Sequence, residues 1–126
     1  MDQTVRDALV HGRRLIDITT TGRRTGKPRR IELTYHVIDG RFYISGMPFP
    51  GRTRAWLHNL IADPRFTFHL KGRVAADLQA TARVITDEAE RRRLSIEIVK
   101  VWTNQDVEAM VRDAPLVEVT FDEAAA

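Results

Sequence analysis

The sequence has 126 residues, 43% hydrophobic and 29% charged, the size and balance expected of one folded domain (1–126) rather than a disordered chain. It holds no cysteine and no apolar run long enough to cross a membrane, and its acid-containing N-terminus does not read as a secretory leader. Disulfides, thiolate chemistry and a membrane helix are excluded, and a cytoplasmic location is expected. The net charge of +3 conceals a gradient: residues 1–54 carry eleven Lys/Arg against five Asp/Glu, whereas residues 87–126 carry five against ten.

Residues 1–13 read as a short helix with Val5, Ala8 and Leu9 on one face. The β-branched, alternating stretch 15–21 reads as a strand, and Gly22, Gly26 and Pro28 mark the turn after it. Residues 30–38 alternate, with Ile31, Leu33, Tyr35 and Val37 on an apolar face and Glu32, Thr34 and His36 on a polar one. Asp39-Gly40 signals a tight hairpin into a strand over 41–46. Residues 47–52, with two prolines, read as a structured loop. A helix follows, capped by Thr53, with an apolar stripe of Trp56, Leu57, Leu60 and Ile61 and a stop at Asp63-Pro64. Residues 65–70 alternate again, Lys71-Gly72 turns the chain, and 74–84 form a long strand. Asp87 and Glu90 fit a capping box for a helix with Leu94, Ile98, Val101 and Trp102 on one face. Thr103 is the expected cap of a further short helix through Val111, and 115–121 form the last strand. About six strands joined mostly by tight turns, with three or four helices, predict an α+β fold: a small closed or split barrel, mainly antiparallel, with helices packed outside it.

The densest chemical signal is Thr20-Thr-Gly-Arg-Arg-Thr-Gly-Lys-Pro-Arg-Arg30. Between Arg13 and Arg30 seven cations meet only Asp17. The glycines let the backbone turn tightly and bring N–H groups toward a ligand, while Arg23, Arg24, Lys27, Arg29 and Arg30 surround the turn with charge suited to phosphate or carboxylate. A solvated basic hairpin is the plain alternative. The stretch is not a P-loop, because Lys27 is not followed by Ser/Thr and a helix. No recognition motif accompanies the cations, so no nucleic-acid partner is expected; an anionic membrane surface stays as a lesser alternative. His11, His36, His58 and His69 lack metal-ligand spacing, so no metal is expected, and no Gly-x-Ser-x-Gly elbow is present. The proline-stiffened loop Ser45-Gly-Met-Pro-Phe-Pro-Gly51 is a second candidate, suited to form one wall of a flat pocket beside Trp56 and Asn59. The plain role for Trp56 is to anchor its helix to the barrel.

Two ordered segments carry a resemblance. Ile18-Thr-Thr-Thr-Gly-Arg-Arg-Thr-Gly-Lys-Pro-Arg29, followed by a Tyr-containing strand and Asp39-Gly40, and then Trp56-Leu-His-Asn-Leu-Ile-Ala-Asp-Pro64, together resemble the deazaflavin-dependent nitroreductase (quinone reductase) family. The resemblance implies an FMN-binding-like split β-barrel that holds F420, a deazaflavin with a phosphate and a polyglutamate tail. It matches Arg24 and Arg29 to the family's phosphate-binding cations, with Arg23, Thr25, Gly26 and Lys27 lining the same turn. It places the deazaflavin ring against 44–49, with Ser45, Gly46, Met47 and Trp56 as contacts. The implied activity is hydride transfer between reduced F420 and a small electron-poor acceptor: a quinone, enone or nitro compound. Because the cofactor carries the hard chemistry, no catalytic residue is assigned; Tyr35, Tyr43, Ser45 and His58 are candidates to supply a proton. Two alternatives stay open. One is FMN in the same fold, whose single phosphate leaves several cations unexplained; the other is a non-enzymatic carrier of a cofactor or apolar ligand. The protein is expected to be a monomer or a homodimer.

Overall fold

The computed structural model describes residues 1–122. Six strands close into one barrel: β1 (Leu15–Thr21), β2 (Pro28–Ile38), β3 (Arg41–Ser45), β4 (Arg65–Leu70), β5 (Ala76–Val84) and β6 (Leu116–Phe121). Around the wall the order is β1-β2-β3-β6-β5-β4. Every neighbouring pair is antiparallel, so the expected α+β barrel is the fold observed. Four helices flank it: α1 (Gln3–His11), α2 (Ala55–Ala62), α3 (Glu88–Val99) and α4 (Val107–Asp113).

Period-two alternation sends one side of each strand into the barrel. Ile16 and Ile18, Tyr35, Ile44, Phe66 and Phe68, Ala80, Val117 and Val119 meet there as one buried cluster. Phe68 forms edge contacts with Tyr35 at 5.3 Å and Phe121 at 5.1 Å, favourable aromatic geometries. Two helices add side chains to this core: Leu9 from α1, and Trp56 and Leu60 from α2. At α1, the Tyr35 hydroxyl donates to the Leu9 carbonyl at 2.7 Å. At α2, Asn59 bonds to Thr20 near the far end of β1.

The turns follow local chemistry. Asp39 and Gly40 both take positive φ, 52° and 74°, the pair of left-handed residues that a primed two-residue hairpin needs. The Asp87 carboxylate caps α3 by accepting from the Glu90 N–H at 2.9 Å. The reciprocal half of the expected capping box is missing, because the Glu90 carboxylate turns to Arg83 at 2.6 Å.

Several local expectations are corrected. Thr53 does not cap α2: its N-cap is Arg54, with no side-chain cap bond. Asp106, not Thr103, caps α4 by accepting from the Ala109 N–H at 2.9 Å. On α2 the buried stripe is Trp56, Asn59 and Leu60, and Ile61 is exposed because it points away from the barrel end. Val101 lies past the end of α3 and is 70% exposed. The strand expected from Val74 starts at Ala76.

The supposedly polar outer face of β2 is also covered. Ile38, Tyr43, Ile85, Leu94, Ile98, Met110, Ala114 and Leu116 form a second buried cluster between the barrel wall and α3–α4. His36 is buried under the same layer, its ring edge-on to Trp102 at 4.8 Å. Arg91 ties that layer down by donating to the carbonyls of Ile85, Met110, Val111 and Ala114. His69 is buried on the outer wall as well, between Thr19 Oγ1 at 2.6 Å and Asp77 Oδ1 at 2.7 Å.

Candidate functional site

The β1–β2 turn is a compact knot of hydrogen bonds. The Gly22 N–H donates to the Lys27 carbonyl and the Gly26 N–H to the Gly22 carbonyl, both at 2.8 Å. The Lys27 N–H donates to Thr25 Oγ1 at 3.2 Å. Gly26 takes φ +71°, which glycine adopts without strain. A Cβ on Gly22 would lie 2.9 Å from Thr25 Oγ1 and 3.1 Å from the Lys27 carbonyl oxygen, so this position leaves no room for a side chain.

The turn is fastened to α2 by one residue. Asn59, buried at 5% exposure, accepts from the Arg23 N–H through Oδ1 and donates to Thr20 Oγ1 through Nδ2, each at 3.0 Å. The backbone amides of Gly22, Arg23, Gly26 and Lys27 are thus all used inside the protein. These four amides are therefore not free to form a cradle for a ligand.

Between the turn and α2 lies an open cavity of about 400 Å³, lined by Gly22, Arg23, Arg24, Thr25 and Arg29 on one side and Ala55, Trp56 and Asn59 on the other. Ile31 completes its floor. The side chains of Arg23, Arg24, Lys27 and Arg29 are exposed and, among the described residues, form no ion pair or hydrogen bond. Elsewhere many cations have acidic partners: Arg83 holds Glu90 and Glu118, and Arg92 holds Glu88 and Glu108. Arg30 departs from the expected cluster for this reason. It donates to Asp17 at 2.9 Å, and Lys71 donates to Asp17 and to Glu32, each at 2.7 Å. Hydrogen bonds from Lys71 and then Arg30 hold the Asp17 carboxyl below its ordinary range.

The structure thus brings together Arg23, Arg24, Thr25, Arg29 and Trp56 around one cavity. Lys27 and Gly26 belong to the same turn but do not line it. Trp56 is 8% exposed, packs in the barrel core and borders the cavity. Gly46 and Met47 connect to the start of α2 rather than to the basic turn. Arg54 donates to the Met47 carbonyl, and a Cβ on Gly46 would stand 3.4 Å from Arg54 Nε. Phe49 sits under two guanidinium groups, Arg52 at 5.1 Å and Arg54 at 5.7 Å. Ser45 points the other way: its buried hydroxyl lies 3.1 Å from His36 Nε2 on the outer wall. Tyr35 and Tyr43 are buried in separate cores, and neither they nor His58 line this cavity. Asn59 and Gly22 are the structural contributors that the charge pattern of the sequence does not single out.

This barrel has the split-barrel, FMN-binding-like fold. Three solved structures share the fold. The conserved hypothetical protein Rv2991 from Mycobacterium tuberculosis is 18% identical, with a TM-score of 0.74 over 98% of this chain and 81% of that one. The heme storage protein HutZ from Vibrio cholerae is 9% identical, with a TM-score of 0.71 over 98% and 91%. An F420-H2 dependent reductase, FDR-A, is 21% identical, with a TM-score of 0.60 over 86% and 95%. At these identities the likeness is one of fold. No curated protein matches the chain significantly. The family is settled at the level of sequence: the chain belongs to the F420H(2)-dependent quinone reductase family, whose model matches residues 4–122. Among the described residues no helix is long and apolar enough to cross a membrane, and no three His, Asp or Glu side chains are grouped to hold a metal ion.

Proposed function

We propose that this protein binds F420 at the β1–β2 turn and serves a reductase that passes a hydride between the reduced cofactor and a small electron-poor acceptor: a quinone, enone or nitro compound. The observation that carries this reading is the set of four cations around the turn that have no acidic partner among the described residues, three of which line a cavity walled by Trp56. A phosphate with an acidic tail is a ligand whose charge fits that set, since guanidinium groups grip phosphate and carboxylate oxygens in pairs. Family membership supports the same cofactor.

F420, when bound, supplies the hydride from its ring carbon. The chain's own residues have three tasks. Arg24 and Arg29 hold the phosphate, with Arg23 and Lys27 drawing the tail. Gly22 and Thr25 keep the turn in one conformation, so the cations are placed before binding and less ordering is needed on association. Trp56 and Ile31 present apolar surface that keeps water from one side of the cofactor. Gly46, Met47 and Phe49, fastened to α2 through Arg54, are assigned to the ring.

Titration of the purified protein with F420 and, separately, FMN, followed by quenching of tryptophan fluorescence, tests the reading. Saturable quenching by F420 and not FMN is the expected outcome. Preference for FMN would move the protein to the flavin branch of the fold. Binding of F420 without turnover across quinones, enones and nitro compounds would leave a cofactor carrier.

A further inference from the structure

A second cavity, of about 350 Å³, opens on the outer wall of the barrel between β2 and the end of α3. It shares no lining residue with the cavity at the basic turn. Its most unusual component is His36, which is 6% exposed. One ring nitrogen, Nε2, is 3.1 Å from Ser45 Oγ, and the ring lies edge-on to Trp102. The other nitrogen, Nδ1, has no partner among the described residues. Yet among the described residues no fully buried side-chain nitrogen or oxygen lacks a hydrogen-bond partner. Nδ1 is therefore not fully buried, and the cavity that His36 lines gives it access to a ligand.

The charges around the cavity are unequal in how they are compensated. Of the acids, Glu97 pairs with Lys100 at 2.9 Å and Asp39 with Arg93 at 3.7 Å. Among the described residues Arg14 pairs with no carboxylate. Its guanidinium is part-buried and donates to the carbonyls of Leu9, Val10 and Gly12 and to the Tyr35 hydroxyl. Those oxygens are neutral and leave the full positive charge in place. Burial and then the Arg14 charge push the His36 imidazole down to about 4, so it is neutral at pH 7 and carries one ring proton. Of the two neutral tautomers, the one in which the Ser45 hydroxyl donates to Nε2 carries its proton on Nδ1, facing the cavity. Ile38, Ile98 and Val101 supply apolar surface beside it.

We propose that this cavity binds a small molecule with a carboxylate on an apolar body, the carboxylate received by His36 Nδ1–H in the field of Arg14 and the body lying along Ile98 and Val101. The volume is at the low end for small-molecule sites and suits a ligand of one or two rings. Ser45, rather than touching the ligand, donates to Nε2 in the tautomer that the bound carboxylate selects. The inference does not rest on the deazaflavin reading, because the two cavities are lined by different residues.

The test is a titration with benzoate, read from the imidazole C–H resonances of the four histidines. A saturable shift confined to His36 is expected, together with a rise of its pKa, since a bound carboxylate favours the protonated ring. Val101→Trp blocks the mouth of the cavity at a position that is 70% exposed, so the fold is retained and benzoate affinity drops by about tenfold or more. Benzamide, neutral and of the same shape, binds more weakly than benzoate. The proposal is overturned by the absence of a saturable shift at His36, by equal shifts at His11 and His58, by undiminished binding to the Val101→Trp protein, or by equal affinity for benzamide.

Discussion

Asn59→Ala is the sharpest perturbation of the basic turn, because one side chain joins α2 to both β1 and the turn. The substitution removes the hydrogen bonds to the Arg23 N–H and to Thr20 Oγ1, each 3.0 Å long. Two such bonds contribute about 1 kcal/mol apiece. Thr20 is 2% exposed, so its hydroxyl is left without a partner and away from water, at a further cost of roughly 1 kcal/mol. The expected loss is about 3 kcal/mol, which for a domain of this size corresponds to a Tm about 10 °C lower. Urea unfolding at pH 7 measures it. Hydrogen exchange at the Arg23 amide reports the same bond locally and should become much faster. Thr20→Ala, alone and combined with Asn59→Ala, completes a double-mutant cycle, where a coupling of roughly 1 kcal/mol is expected for groups in direct contact. A loss below about 0.5 kcal/mol, the level of an ordinary surface change, or full additivity in the cycle would refute the idea that Asn59 fastens the turn.

Two other predictions concern charge. Arg24→Ala combined with Arg29→Ala should weaken F420 binding by roughly 1.5–3 kcal/mol per lost charge-assisted contact while leaving the unfolding midpoint nearly unchanged; unaltered affinity would remove these cations from the site. For His36 the folded value is lowered from 6.5 to about 4, so its contribution to stability is complete above pH 6.5 and is lost as pH falls toward 4. The total is about 3 kcal/mol. Urea titrations between pH 7 and 4.5 should show that decline in the wild-type protein and a shallower one in His36→Gln. Equal slopes would mean that the histidine is not held neutral by burial.

How much of this was legible in the sequence depends on whether a residue's surroundings are local. The strand at 15–21 is observed at those residues, because the alternating β-branched run and the glycine after it are local signals. The Asp39-Gly40 turn and the Asp87 cap are local for the same reason. The basic turn was visible from its charge density alone. Thr53 and Thr103 failed as caps because a hydroxyl near a helix start matters only if the backbone brings it to a free N–H, and Arg54 and Asp106 hold those positions. The outer layer was harder still. Alternation in β2 identifies two faces but not that α3 and α4 cover the second, so His36 reads as exposed or hydrogen-bonded on a polar face, and its burial shows only when a helix far along the chain is placed upon it. Asn59 was visible as a neighbour of Trp56, but its bonds to residues 36 and 39 positions away were not.

The strand order carries a consequence for how the molecule is made. β6 lies between β3 and β5 in the wall, yet it follows every other element in the chain. While the chain is being synthesised, β1, β2 and β3 can pair as they emerge, and β4 can add to β1. Until β6 arrives, however, β3 and β5 each present an open row of backbone donors and acceptors, the feature that invites pairing between chains. The finished barrel has no such edge. The vulnerable interval for this protein therefore runs from the emergence of β3 and β5 to the point just before the last strand slots into the gap. A chain cut short at that point would be an aggregating species rather than a slightly less stable one.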